Sequence, residues 1–414
     1  MAANTRKLDY RSPQTPEPPL LRRWDLSTVF VWAICAYILI LPIAGLVLTW
    51  GFSLPRGQEV TQDRIRFMVV NAVTLTGFQG NIDTGNMPMP CSLVLFALTL
   101  LGTAFVLTLG GLAAARILDL AVSDGQIVNG ALGVTIALPL LCSLPLLDAR
   151  TDPLRAWMLS LSAFGNSGLN LGGLPGMASW KTQFILLPLA VLGGLGLPVL
   201  MELPLLPWRR RTMSEHTRRV LGASAIVYLG GLVAMAAMRL GTEATFGMAV
   251  VKASTAAINS RSAGFGWEYA QAFPRLMQWL VMLFMLAGAG PAGTAGGLGL
   301  TTLDRLGRGL RAAIRGENPG TAFGLAAAWC AVYLLFVATF FGALLYTNAD
   351  VRADVLLFET TSAVGNAGLS FDRIMLVWPG LDVLTAAMLA GRLLPLGLLW
   401  WLAARRERMT VLIG

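Results

Sequence analysis

Charge is what this sequence has least of. Only 13% of its 414 residues are Asp, Glu, Lys or Arg, and 55% are hydrophobic. A soluble domain carries about 25% charged residues. The deficit excludes an ordinary soluble globule. Apolar runs longer than the ~18 residues of a bilayer span make the chain an integral membrane protein. Histidine is nearly missing as well: His216 is the only one, and it lies in a basic segment. A metal-binding or catalytic role for it is not expected. The four cysteines, Cys35, Cys91, Cys142 and Cys330, sit in or beside apolar runs without metal-ligand spacing, so they are expected to be inert thiols. No repeated acidic or histidine group falls at membrane depth, which weakens a membrane-embedded enzyme. Zinc-finger spacing and aromatic–basic RNA motifs are missing too, so the net charge of +9 does not indicate nucleic acid.

The apolar runs predict eight crossings, near 27–50, 90–115, 124–147, 181–201, 218–239, 274–303, 320–346 and 378–403. An even number places both termini on one side. The proline-rich start, "MAANTRKLDYRSPQTPEPPLLRRWD", has no cleavage pattern and is expected to be a tail before a retained first helix. Eighteen of the 31 basic residues fall on the side of the termini, against ten acidic ones; the other side has twelve of each, and Arg392 is left inside a span. The positive-inside rule then makes both termini cytoplasmic.

Four segments on the opposite side repeat one another. They contain "NAVTLTGFQG", "LSLSAFGNSGLNLGG", "VKASTAAINSRSAGFGW" and "FETTSAVGNAGLSFD". Each has a short helix-forming stretch of small residues and then a glycine turn. "SAFGNSGLN" and "SAVGNAGLS" nearly coincide although Gly168 and Gly368 are 200 residues apart. Repetition of this kind is strong evidence of architecture. The predicted fold is all-α: four parallel repeats of crossing helix, pore helix and crossing helix around a central pore. The predicted units are a tail over 1–26, repeats over 27–116, 124–201, 218–303 and 320–403, and a tail over 404–414.

Irregular backbone cannot face lipid, because its polar groups would go unsatisfied, but it can line a watery passage. Four such loops around one axis offer carbonyl oxygens that replace part of an ion's hydration shell. Gly77, Gly168, Gly264 and Gly368 permit the backbone angles this needs. The C-terminal ends of the short helices add partial negative charge. Arg261, in "NSRSAGF", cannot bind a cation and is expected to brace its loop through carboxylates or carbonyls, with Glu359 as a candidate partner. Asn166 and Asn366, two residues before their glycines, are candidate supports.

Two features suit a gate. "FMLAGAGPAGTAGGLGLTT" is too glycine-rich for an unbroken helix. A mobile loop is expected from Gly288 to Gly299, with Gly290, Gly293, Gly296 and Gly297 inside it. No GK[ST] ending supports a nucleotide loop. Arg392, in "AMLAGRLLPLGLLW", is a charge within a span, and such charges face protein or water. It is expected to bond carbonyls of the 288–299 loop, or to repel passing cations.

Taken together these stretches resemble the Trk/Ktr/HKT superfamily of potassium-uptake proteins, most closely the bacterial TrkH/KtrB-like membrane subunits. "TLTGF", "SAFGNSGLN", "NSRSAGF" and "SAVGNAGLS" look like the four filter loops. "AGAGPAGTAGGLGLTT" resembles the intramembrane gating loop and "GRLLPL" the final-helix arginine motif. The resemblance covers nearly all of the chain beyond the first tail. It implies K+ as the transported ion, with Na+ possible, held by backbone carbonyls of Thr76, Gly77, Ser167, Gly168, Ala263, Gly264, Ala367 and Gly368. Further implications are a homodimer, a cytosolic RCK-type nucleotide-binding partner, no organic cofactor in this chain and a bacterial inner-membrane location. A glycine rather than a serine at the first filter resembles the K+-preferring branch. Two departures stand out. Gly299 occupies the place where the family often has a lysine, and the extra N-terminal helix pair of larger TrkH-type members is missing, which favours the eight-crossing KtrB plan. A sodium- or proton-coupled transporter on the same frame is the main rival.

Overall fold

The computed structural model describes residues 26–52, 60–78, 84–120, 122–148, 151–205, 213–372, 374, 376 and 378–413. The tail expected over 1–26 lies almost wholly outside them. All regular structure among the described residues is helical, as a chain must be when each backbone group inside a bilayer needs an internal partner.

The first repeat is a crossing helix α1 (Leu26–Phe52), a short helix α2 (Gln62–Val73) and a crossing helix α3 (Met89–Leu118). The second has α4 (Asp124–Ser143), the short α5 (Pro153–Phe164), and a π-helical turn (Thr182–Leu186) leading into α6 (Leu187–Leu195) and α7 (Leu197–Glu202). The third has α8 (Glu215–Arg239), the short α9 (Phe246–Ile258) ending in a π-helical turn (Asn259–Ala263), then α10 (Arg275–Ala287) and α11 (Leu300–Ile314). The fourth has α12 (Gly320–Thr347), the short α13 (Ala353–Val364) and α14 (Gly380–Ile413).

Local chemistry sets the helix starts. Ser123 caps α4 and Gln126 returns the bond, a reciprocal pair that satisfies two free N–H groups. Asp152 caps α5 ahead of Pro153, Ser214 caps α8 and Thr245 caps α9. The helix middles are set by hydropathy. Among the described residues six helices are long and apolar enough to span a bilayer, including α1 (mean hydropathy 2.5) and α3 (2.3). The other two expected crossings are not continuous helices. The one near 274–303 stops at Ala287 and resumes at Leu300, as its glycines predict. The one near 181–201 is interrupted at Gly196 (φ 93°) between two prolines, Pro188 and Pro198, a break that its hydropathy does not predict. The last helix also runs on to Ile413, past the expected end at 403.

The repeats pack in a ring. α3 touches α4 and α5, α6 touches α9, α10 touches α13, and α14 closes the ring on α2 and α3. Small residues allow close approach at three equivalent joints. A Cβ added at Gly102, Gly193 or Gly391 would overlap the carbonyl oxygen of Val73, Phe164 or Val364, the last residue of a short helix in each case. Glycine-mediated contact of this kind is how helices associate where no hydrophobic force drives them together. Gly193→Ala is expected to destabilise the protein by about 1–3 kcal/mol, read as a lower unfolding midpoint in detergent. An unchanged midpoint would contradict the joint.

Candidate functional site

The short helices end inside the ring, and the chain leaves three of them in nearly the same way. After α5 comes Gly165 and then Asn166 in the left-handed region (φ 55°); after α13 come Gly365 and Asn366 (φ 46°); after α2 come Thr74 and Leu75 (φ 57°). Each turn is closed by one backbone bond across five residues: Thr76 N to Asn71 O (3.1 Å), Ser167 N to Ser162 O (2.9 Å) and Ala367 N to Ser362 O (2.9 Å). Side chains one turn back then brace the loop from behind. Asn71 Oδ1 accepts from the N–H groups of Gly77 (2.8 Å) and Phe78 (2.9 Å), and Asn259 Oδ1 accepts from that of Phe265 (2.9 Å). Ser162 Oγ donates to Leu169 O (2.8 Å). The third loop differs in reaching Gly264 through its π-helical turn.

All four predicted glycines come together, and all have positive φ: 92° at Gly77, 62° at Gly168, 64° at Gly264 and 76° at Gly368. Their spacing is circular. A Cβ on Gly77 would overlap Ser167 O, and one on Gly168 would lie 2.5 Å from Ala263 O. One on Gly264 would lie 2.9 Å from Thr76 O and 3.1 Å from Ala367 O, and one on Gly368 would overlap Thr76 O. Thr76, Ser167, Ala263 and Ala367 are completely buried, each at 0% exposure. Carbonyls of four loops thus crowd one small space. No carboxylate belongs to that set.

Asn166 and Asn366 hold this cluster to its surroundings in matching ways. Asn166 Nδ2 donates to Ala190 O (3.0 Å) and to Thr294 Oγ1 (2.7 Å). Asn366 Nδ2 donates to Met388 O (3.0 Å) and to Thr76 Oγ1 (2.9 Å). Tyr37 and Tyr333, on the first helices of the first and fourth repeats, donate to Val73 O (2.8 Å) and Val364 O (3.1 Å).

The irregular stretch from Gly288 to Gly299 lies against the glycine turns. A Cβ on Gly296 would overlap Gly365 O. The loop is secured on several sides. Gly290 N donates to Gly194 O (2.8 Å) and Thr294 N to Gly193 O (3.0 Å), both carbonyls close to the break in the fourth crossing. Thr294 Oγ1 donates to Phe164 O (3.0 Å). Arg261 Nε donates to Gly288 O (3.0 Å). A carbonyl is therefore its partner, and the candidate carboxylate, Glu359, accepts instead from Phe371 N (2.7 Å).

Arg392 is only 4% exposed and links the two parts of the site. Its Nη1 donates to Thr294 O (2.8 Å), as expected for a residue that holds the loop. Its Nε donates to Thr74 O (2.7 Å) and its Nη2 to Leu75 O (3.3 Å), directly behind the first glycine turn. A guanidinium satisfied by carbonyls in this way is well suited to a water-poor interior. Gly299, which stands where the resemblance would put a lysine, has φ 87° and precedes α11; a side chain would be strained there.

Five participants are missing from the sequence reading: Thr294, the joint glycines Gly102, Gly193 and Gly391, and Asn71. Asn71 does carry a signal, since Asn259 precedes "SRSAGF" much as Asn71 precedes "AVTLTGF". Among the described residues no cluster of His, Cys, Asp and Glu could hold a metal ion. The four cysteines are free thiols.

No family model matches the chain. It is 26% identical over 279 residues to the Ktr system potassium uptake protein B of Vibrio alginolyticus. The match takes in 63% of this chain and 61% of that protein, so the chain spans about three-fifths of its relative's length. Among solved structures it is similar to the crystal structure of the potassium transporter TrkH from Vibrio parahaemolyticus, with a TM-score of 0.71 and 15% identity over 86% of this chain and 82% of that one. In sequence the chain is thus similar to a potassium uptake protein of the Ktr system, and in fold to the potassium transporter TrkH.

Proposed function

We propose that the protein takes up potassium ions through a pore in which main-chain carbonyls form the selectivity filter. One observation carries this: four glycine turns, each so close to a carbonyl oxygen of a neighbouring loop that an added Cβ would press on it, ring one buried space. The carbonyls of Thr76, Gly77, Ser167, Gly168, Ala263, Gly264, Ala367 and Gly368 would replace the water shell of a K+ ion. The relative named for potassium uptake supports the choice of ion. The membrane potential would then drive entry, at about 2.3 kcal/mol per charge for each 100 mV. No covalent chemistry is needed.

The loop from Gly288 to Gly299 serves as the gate in this scheme. It lies on the same path, is rich in glycine, and is secured by individual hydrogen bonds that can be exchanged rather than by a helix ladder. The basic side holding both termini faces the cytoplasm of a bacterial inner membrane. A homodimer and a nucleotide-binding RCK-type ring on that face complete the proposed assembly. Sodium- or proton-coupled transport is the competing possibility, since both would use the same frame. Rubidium uptake into liposomes under separate K+, Na+ and pH gradients decides between them. Uptake is expected to follow the K+ gradient alone. Uptake that requires a Na+ or pH gradient would favour coupling, and no flux from correctly inserted protein would end the proposal.

A further inference from the structure

On the side of the termini, next to the loop, the structure has a cavity of about 720 Å³ between the ends of α3, α7, α8 and α11. Its size is that of a site for a small organic molecule rather than for an inorganic ion. Its walls are mainly apolar, with Leu118, Ile127, Leu197, Met201 and Val220 among them. Its polar groups are unevenly engaged. Glu202 accepts from Ser214 Oγ (2.5 Å) and from Thr217 Oγ1. Glu215 pairs with Arg219 (2.6 Å) and Asp304 with Arg308 (2.5 Å). Every carboxylate lining the cavity is thereby matched.

Two groups remain. Arg305 has no ion pair or hydrogen bond among the described residues, and the Nε2 atom of His216 is buried without a partner. These two, with Thr301 and Leu118, also line a second cavity of about 200 Å³. That second cavity is bounded by Gly290 to Gly299 and by Arg392, so it is the space beneath the loop. The unpaired groups thus stand in the wall shared by the side cavity and the space beneath the loop, which is the ion path if the proposed function holds.

We infer that the side cavity is a binding site for an anionic phospholipid. The phosphate would meet Arg305, His216 and the Thr301 hydroxyl, and an acyl chain would lie along Leu118, Leu197 and Met201. Basic pockets between membrane helices at the cytoplasmic level suit such head groups. A guanidinium with no partner favours a net-anionic phosphate head group over one whose phosphate is already paired with its own cation. The apolar walls favour a lipid over a soluble anion, because filling them with hydrocarbon removes apolar surface from water. Thr301 is the second residue of α11, immediately after the loop. A bound head group therefore bears on the loop's exit, and occupancy would bias the gate.

The test uses native mass spectrometry of the full-length protein in detergent, after equilibration with phosphatidylglycerol or phosphatidylcholine. Wild type is expected to retain phosphatidylglycerol about tenfold better, corresponding to ~1.4 kcal/mol. Arg305→Gln should erase the preference. Ala223→Trp, which fills the cavity from α8, should lower retention of both lipids. Unfolding midpoints without lipid check that the variants are folded; if neither is, the wild-type comparison decides alone. Equal retention of the two lipids by wild type overturns the proposal, as does a preference that survives in both folded variants. So does a rise in unfolding midpoint with inorganic phosphate equal to that with phosphatidylglycerol, which would mark a soluble anion as the occupant.

Discussion

Gly368→Ala is expected to reduce rubidium uptake by at least about a hundredfold, equivalent to some 2.7 kcal/mol. Two effects combine at this position. Its φ of 76° is a conformation in which a Cβ is disfavoured by roughly 1–2 kcal/mol. The added methyl would also overlap the carbonyl oxygen of Thr76, a main-chain atom that no rotamer change can move aside. That oxygen is one of the proposed ion ligands, so the turn must open and the ring lose its dimensions. The four glycines should not respond equally. A Cβ at Gly264 would still be 2.9 Å from the nearest oxygen, whereas those at Gly77 and Gly368 overlap one. Gly264→Ala should therefore be the mildest of the four substitutions in the same uptake assay. A uniform loss would point to general misfolding, and normal uptake by Gly368→Ala would remove that turn from the pathway.

Arg392→Ala is expected to lower both stability and selectivity. The side chain supplies donors to Thr74 O, Leu75 O and Thr294 O inside a buried region. Losing a partner leaves each such group unsatisfied, at about 1–3 kcal/mol, and water entering the space would recover part of that. The unfolding midpoint in detergent should drop clearly. Discrimination of K+ over Na+ should fall by about tenfold, since the first glycine turn loses its support from behind. Arg392→Lys keeps the charge but has a single nitrogen in place of a planar fork, so an intermediate result is expected. Wild-type midpoint and selectivity in Arg392→Ala would mean that the bonds are incidental.

The features readable from the sequence are those that repeat or that break a local rule. Crossings are visible as apolar runs, and the glycine turns are visible because "SAFGNSGLN" and "SAVGNAGLS" recur in the same relation to those runs. The interruption after Ala287 shows because six glycines within twelve residues cannot support a helix. The hidden features depend on partners far away in the chain. Thr294 bonds across 128 and 130 residues to Asn166 and Phe164, and nothing near it marks it out. Arg261 is recognisable as a brace, but a carboxylate and a carbonyl are equally good acceptors on paper; only packing brings Gly288 O within reach. The break at Gly196 is masked by composition. "LGGLGLP" reads as glycine used for helix packing, and Gly193 does serve that purpose against Phe164. The role of Gly196 emerges only beside Pro291, whose carbonyl oxygen a Cβ there would overlap.

The most direct measurement is anomalous diffraction from crystals grown with thallium, a K+ mimic, in place of potassium. Peaks are expected on the axis between the carbonyl oxygens of Thr76, Ser167, Ala263 and Ala367. Thallium bound instead at a carboxylate such as Glu359, with nothing among the four turns, would contradict a backbone filter.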